Sequence, residues 1–127
     1  MPKIDPSTIR SVLIIDNNPD FRYLFRLALK AIHGCRVIEA ADGSEGPRVV
    51  QSELPDVIFI AFDVLRQSGF EILHTLQETP NTAAIPLVLI SGSREHNDLD
   101  QARALCQGYL RKPISLYDIK GWLRQFG

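Results

Sequence analysis

Three residues with usable chemistry stand at the ends of short strand-like runs. Asp16 follows Val12-Leu13-Ile14-Ile15, Ser91 follows Leu87-Val88-Leu89-Ile90, and Lys112 follows Tyr109-Leu110-Arg111. A fourth run, Val57-Ile58-Phe59-Ile60, ends in Ala61, whose methyl group cannot act as a nucleophile, bind a metal or carry phosphate. An ammonium and a carboxylate at adjacent strand ends can pair, and an ammonium over a crevice that carries a methyl group would also suit a small anion. Asp16 and Asn17 are only weak candidates for a metal, since hard cations want several oxygen ligands and asparagine brings no charge. Asp63, two residues past Ala61, would project to the same side of an extended chain and offer a carboxylate or metal ligand there; otherwise it is a polar loop residue. Ser91 lacks a histidine placed to support a nucleophilic triad, so its expected role is a hydroxyl bonded to backbone. His33, His74 and His96 fall in three different elements without ligand spacing, which argues against a metal centre. No glycine-rich phosphate loop is present to hold a nucleotide.

The elements that position these residues follow from periodicity. Continuous apolar runs of four or five residues are the mark of strands covered on both faces. Cys35-Arg36-Val37-Ile38-Glu39 has polar margins and reads as an edge strand,. Phe21, Leu24, Phe25, Ala28 and Ile32 recur at helical spacing and predict a core-facing helix,. It is opened by Asn17-Asn18-Pro19-Asp20, with Asp20 as the capping acceptor, and closed by Gly34,. A helix is expected over about Glu45 to Glu53 with Gly46 and Pro47 in its first turn, where a proline lacks nothing,. After Ala61 a polar loop leads to a helix from about Gly69 to Gln77. Weak helical signal returns with Leu99, Ala102, Leu105 and Cys106, and Ser115 with Asp118 forms a capping pair for a last helix,. Leu116, Ile119, Leu123 and Phe126 claim the buried stripe of that helix, which leaves Trp122 near its edge as an interface anchor or a half-buried packing residue,. Five strands alternating with five helices imply an α/β fold with a doubly wound parallel sheet. Right-handed crossovers favour the flavodoxin-like order 2-1-3-4-5, whose ligand crevice lies at the carboxyl ends of the strands.

Composition narrows the class. The 127 residues fit one domain, 1–127, with residues 1–10 as an N-terminal extension,. The chain is 45% hydrophobic and 23% charged with net charge −1, a balance that gives no electrostatic reason to expect nucleic acid or an anionic membrane as partner. No apolar run approaches a membrane span and the N-terminus lacks a signal-peptide stretch, so a cytoplasmic protein is expected. Cys35 and Cys106 are isolated thiols, read as reduced and largely buried,.

The chain resembles a response-regulator receiver domain from about Val12 to Phe126. Pro55-Asp56 opening the strand to Ala61, then Gly69-Phe70-Glu71-Ile72-Leu73, matches the phosphoacceptor strand and the helix after it without a gap. The resemblance implies an acceptor aspartate at position 61, an acidic pair at Asp16 and Asn17, a phosphate-bonding hydroxyl at Ser91, and a phosphate-pairing lysine followed by proline at Lys112-Pro113, commonly through a cis bond. It also implies a mobile aromatic ring at Tyr109. Asp16, Ser91, Lys112 and Tyr109 keep the pattern; Asn17 and Ala61 do not, and Cys106-Gln107-Gly108 shortens the turn before Tyr109. In the family three carboxylates converge on one magnesium ion, and here one survives, so magnesium binding is expected to be weak or absent and no resident cofactor is expected. The expected function is that of a pseudo-receiver: not an enzyme, but a two-component signalling module that acts by protein–protein association without aspartyl phosphorylation. A histidine kinase, an output protein or a second copy through the last helix and strands would be the partner. The alternatives are phosphorylation at Asp63 and a small-anion sensor in the vacated crevice.

Overall fold

A computed structural model describes residues 9–33, 35–68, 70–92, 97–115 and 118. Five strands, β1 (Ser11–Ile15), β2 (Arg36–Ala40), β3 (Val57–Ala61), β4 (Leu87–Ser91) and β5 (Gly108–Arg111), form one sheet in the order β2-β1-β3-β4-β5. Every pairing is parallel. The three central strands are buried along their whole length, which is why their sequences are unbroken apolar runs,. The edge strand β2 is buried only at Ala40.

Among the described residues six helical segments connect the strands: α1 (Pro19–His33), α2 (Glu45–Glu53), α3 (Phe62–Ser68), α4 (Glu71–Glu78), the single turn α5 (Pro80–Ala83) and α6 (Asn97–Ala104). Two cores result. Phe25 and Leu29 of α1 pack on the face of the sheet carrying Val12, Ile14, Phe59 and Val88, with the Phe25 ring set edge-on to Phe59 at 4.8 Å. On the opposite face Leu13, Ile15, Ile58, Ile60 and Leu89 meet Val64, Leu65, Ile72, Leu73 and Leu76. Gly46 lets α2 approach closely, since a Cβ there would lie 2.8 Å from Ile72 and 2.9 Å from Ile15.

Several local expectations are corrected. The polar loop after Ala61 is a helix: Phe62, Val64 and Leu65 are buried, and burying them requires the chain to turn helical at once. The helix count therefore exceeds the five expected. In α1 the capping acceptor is Asn18, not Asp20; its Oδ1 accepts from the N–H groups of Asp20 and Phe21 at 3.0 and 3.2 Å,. Pro19 then occupies the first helical position, where its missing N–H costs nothing,. The predicted α1 stripe divides: Phe25 is buried, Phe21 and Ala28 are half-buried and Leu24 is 63% exposed, while Leu29, outside that stripe, is buried. At the start of α2 it is Asp42 that caps, accepting from Ser44 and Glu45, while Glu45 reaches back to the N–H of Ala41. These bonds hold the Asp42 carboxyl below its ordinary pKa, the backbone N–H of Glu45 foremost,. The Ser115–Asp118 pair is present in both directions, at 2.9 and 3.2 Å. Trp122 and the last helix lie outside the described residues. No helix among the described residues is long and apolar enough to cross a membrane.

Candidate functional site

Strand register assembles the site. Ile15 pairs with Ile60, so Asp16 and Ala61 follow one another on neighbouring strand ends. Ala61 pairs with Ile90, which brings Ser91 one step beyond, and Ser91 pairs with Arg111, which places Lys112 next. The N–H of Lys112 donates to the Ser91 carbonyl at 2.8 Å, fixing the chain as it leaves β5. Asp16, Ala61, Ser91 and Lys112 thus meet at the carboxyl end of the sheet, where a crevice of this topology lies.

A salt bridge occupies the site. Lys112 Nζ donates to Asp16 Oδ2 at 2.9 Å, with the Asp16 side chain 1% exposed and that of Lys112 27%. The expected pairing is present but its premise is corrected: the strand ends are not adjacent, and the bridge joins the end of β1 to the exit of β5 across the ends of β3 and β4. Beneath that span Ala61 is 4% exposed. The other carboxylate oxygen of Asp16 accepts the N–H of Asn18 at 2.8 Å, and its own N–H donates to the Ala40 carbonyl at 3.1 Å. The ammonium of Lys112 also sits 4.0 Å from the centre of the Phe21 ring, a cation–π contact that adds to its fixation. Asn17 is exposed.

Sequence reasoning missed four supporting residues, Phe21, Arg22, Arg26 and Glu39. Phe21 supplies the ring against Lys112. Arg22 donates through Nη1 to the Asp16 carbonyl and through Nε to Glu39 at 3.2 Å, while Arg26 holds the second Glu39 oxygen at 3.2 Å. Phe21 and Arg22 follow Asp16 by five and six residues. Being on the first turn of a helix that starts at the strand's end, they are bound to lie over it; that spacing was the available signal. Asp63 does not continue the strand. The extended-chain argument fails because residue 63 lies in the first turn of α3, where its side chain is exposed. Ser91 is buried at 2% exposure.

Other groups fall outside the site. His74 is exposed on α4, and no cluster of three or more histidine, cysteine or acidic side chains suited to a metal occurs among the described residues. Both cysteines are free, and burial pushes the thiol of Cys106 up to about 12, so it stays protonated near neutral pH,. A groove of about 450 Å³ opens beside the site, between α1 and the chain leaving β5, lined by Phe21, Leu24, Phe25, Ala28, Lys112 and Ile114 among others. Ala61 does not line it. Tyr23, Leu24 and Leu27 are large apolar side chains exposed on α1. The Lys112-Pro113 peptide bond is cis.

Residues 12–124 match the profile of the response regulator receiver domain. Over 119 residues, 91% of this chain, the sequence is 29% identical to the regulatory protein VirG of Rhizobium radiobacter, of which it covers 43%. It is 27% identical over 108 residues to the polar-differentiation response regulator DivK of Brucella anthropi, covering 84% of this chain and 87% of that protein. The chain spans less than half the length of the VirG proteins it matches. Its fold superimposes on the receiver domain of the sensor histidine kinase PA1611 from Pseudomonas aeruginosa with a TM-score of 0.82 at 19% identity, covering 94% of this chain and 98% of that one. That domain holds a magnesium ion in its active-site cleft.

Proposed function

Because the chain belongs to the response regulator receiver domain family, we propose that it serves two-component signalling as a constitutive association module, in which a fixed ion pair stands where a phosphorylation cycle would operate. The observation that carries this reading is the Lys112–Asp16 bridge at 2.9 Å over a buried Ala61. Phosphoryl transfer to a receiver needs an acceptor carboxylate and a cation to spread the developing charge. Here the acceptor position carries a methyl group, and the surviving acid already has its cation. A magnesium ion would have to displace an ammonium held by both a carboxylate and an aromatic ring, and would find one carboxylate and the neutral Asn17 in return,. The PA1611 receiver holds magnesium in its own cleft, but the donor set of this chain does not suit such an ion well,.

Association needs a surface that does not depend on the cycle. We place it on α1, where Leu24 lines the groove and Leu27 is exposed on the same helix, and take the partner to be a helix of a histidine-kinase-type protein. An apolar groove with exposed leucines is the form that receives the apolar face of a helix. Such a module is non-catalytic and works in the cytoplasm with its kinase or output protein.

The test is chemical. Incubation with a small-molecule phosphodonor and magnesium, followed by intact-mass measurement, is expected to leave the mass unchanged. One added phosphoryl mass that is lost in mild base would mean that an aspartate of this chain, Asp63 first, still accepts phosphate, and the constitutive reading would then be withdrawn.

A further inference from the structure

The far end of β5 carries a second pinned side chain, independent of the site. Tyr109 stands in β5 opposite Leu89, half-buried, with its ring packed against the core on the α6 face of the sheet. The guanidinium carbon of Arg103, in the last turn of α6, lies 4.3 Å from the centre of that ring. This is close to stacking distance and shorter than the other arginine–ring contacts of the described residues, which lie at 5.6 and 5.8 Å.

The segment joining the two residues is itself anchored. The N–H of Gln107 donates to the Leu87 carbonyl at 2.9 Å, and its side-chain oxygen accepts the N–H of Leu87 at 2.7 Å. That reciprocal pair ties the entrance of β5 to the entrance of β4. At the end of α6 the N–H groups of Leu105 and Cys106 bond back to Ala102 and Arg103 at 3.1 and 3.2 Å, closing the turn. Arg103 therefore projects from an anchored turn over a ring on a paired strand, and the contact itself has to fix its side-chain torsions. A planar guanidinium can lie against a ring face, which an ammonium on a flexible stem does poorly.

We infer that Arg103 is the positioning residue of Tyr109: it holds the ring in one orientation and makes the α6–β5 surface a preset guanidinium–phenol face rather than a moving part. The inference deepens the constitutive reading and rests on it, because a ring that does not move suits a module with one state. Gln107 sets the backbone on which the two side chains meet, and Arg103 sets the ring.

The experiment is aromatic NMR on the full chain, with the three tyrosines assigned by Tyr→Phe variants. The χ1 couplings and ring shifts of Tyr109 are compared in the parent, Arg103→Ala, Arg103→Met and Arg103→Lys, each with and without phosphodonor and magnesium. The parent is expected to show couplings of a single rotamer that ignore the phosphodonor. Arg103→Ala and Arg103→Met are expected to raise the minor rotamer at least two-fold, with Arg103→Lys between them and the parent. Arg103 is exposed, so these variants keep the fold, and the methionine change preserves the stem should alanine perturb the turn. Averaged couplings in the parent without donor, or unchanged couplings in Arg103→Met, would overturn the assignment of Arg103 alone. A parent ring that moves only with the phosphodonor would instead sink the constitutive reading on which it rests.

Discussion

Replacing Lys112 by methionine is expected to destabilise the protein by about 2–3 kcal/mol, read as a drop in the urea midpoint with little change in slope. The side chain of Asp16 is 1% exposed, and its partners are the ammonium at 2.9 Å and the N–H of Asn18 at 2.8 Å. Methionine keeps most of the stem volume and removes the charge, so the carboxylate is left buried with one hydrogen bond. Breaking a buried pair from one side commonly costs about 3–5 kcal/mol. The lower figure applies here because the lysine end is about a quarter exposed and water can reach it. Adding Asp16→Asn should recover much of the loss, since the amide oxygen still accepts from Asn18 and no charge is stranded. The double-mutant cycle should then return a coupling of about 1–2 kcal/mol. A Lys112→Met variant within about 0.5 kcal/mol of the parent, the range of an ordinary surface change, would mean that the ammonium points to water and the crevice stands open.

The second large effect is a gain. Ala61→Asp is expected to cost about 1–3 kcal/mol in metal-free buffer, where two carboxylates on adjacent strand ends share one ammonium. Neighbouring strands run roughly 4.8 Å apart, and register puts position 61 beside Asp16, so the repulsion is felt at close range. Millimolar magnesium should return about 1–3 kcal/mol, the stabilisation expected when ligand exceeds its dissociation constant by about ten- to a hundred-fold. The parent should show no magnesium-dependent change in the same titration. If the parent is stabilised as strongly as the variant, the missing carboxylate is not what disables the site. If the variant gains nothing, Asn17 at the acidic-pair position is disabling by itself.

The strands and their order were legible because a sheet covered on both faces demands unbroken apolar runs, and Val12–Ile15, Val57–Ile60 and Leu87–Ile90 supply them. Once the order is known, Asp16, Ala61, Ser91 and Lys112 must fall at one end, which is why the site could be named from the chain. The helix α3 was not legible in the same way. Phe62, Val64 and Leu65 alternate with Asp63, Arg66 and Gln67 over only seven residues, too short for a clear period, although the i, i+3 pair of Phe62 and Leu65 was a helical signal. The cap of α1 was misread at Asp20 because an acid in the first turn looks like a cap, whereas Asn18 before Pro19 was the better indication,. Leu24 shared the helical spacing of the core residues, and periodicity cannot tell a groove wall from a core position when the neighbouring element is unknown. The contacts of Phe21 with Lys112 and of Arg103 with Tyr109 join residues of different elements and depend on side-chain placement that no spacing encodes.

The most direct measurement is an amide-resolved NMR titration of the parent chain with magnesium and then with beryllofluoride, a phosphoryl mimic that needs an aspartate carboxylate. With Lys112 holding Asp16 and a methyl group at position 61, neither addition should shift the amides around Asp16, Ala61, Ser91 and Lys112. Saturable shifts centred on those four residues would show a carboxylate still free to take metal and phosphate, and the account of a site closed by its own ion pair would be contradicted.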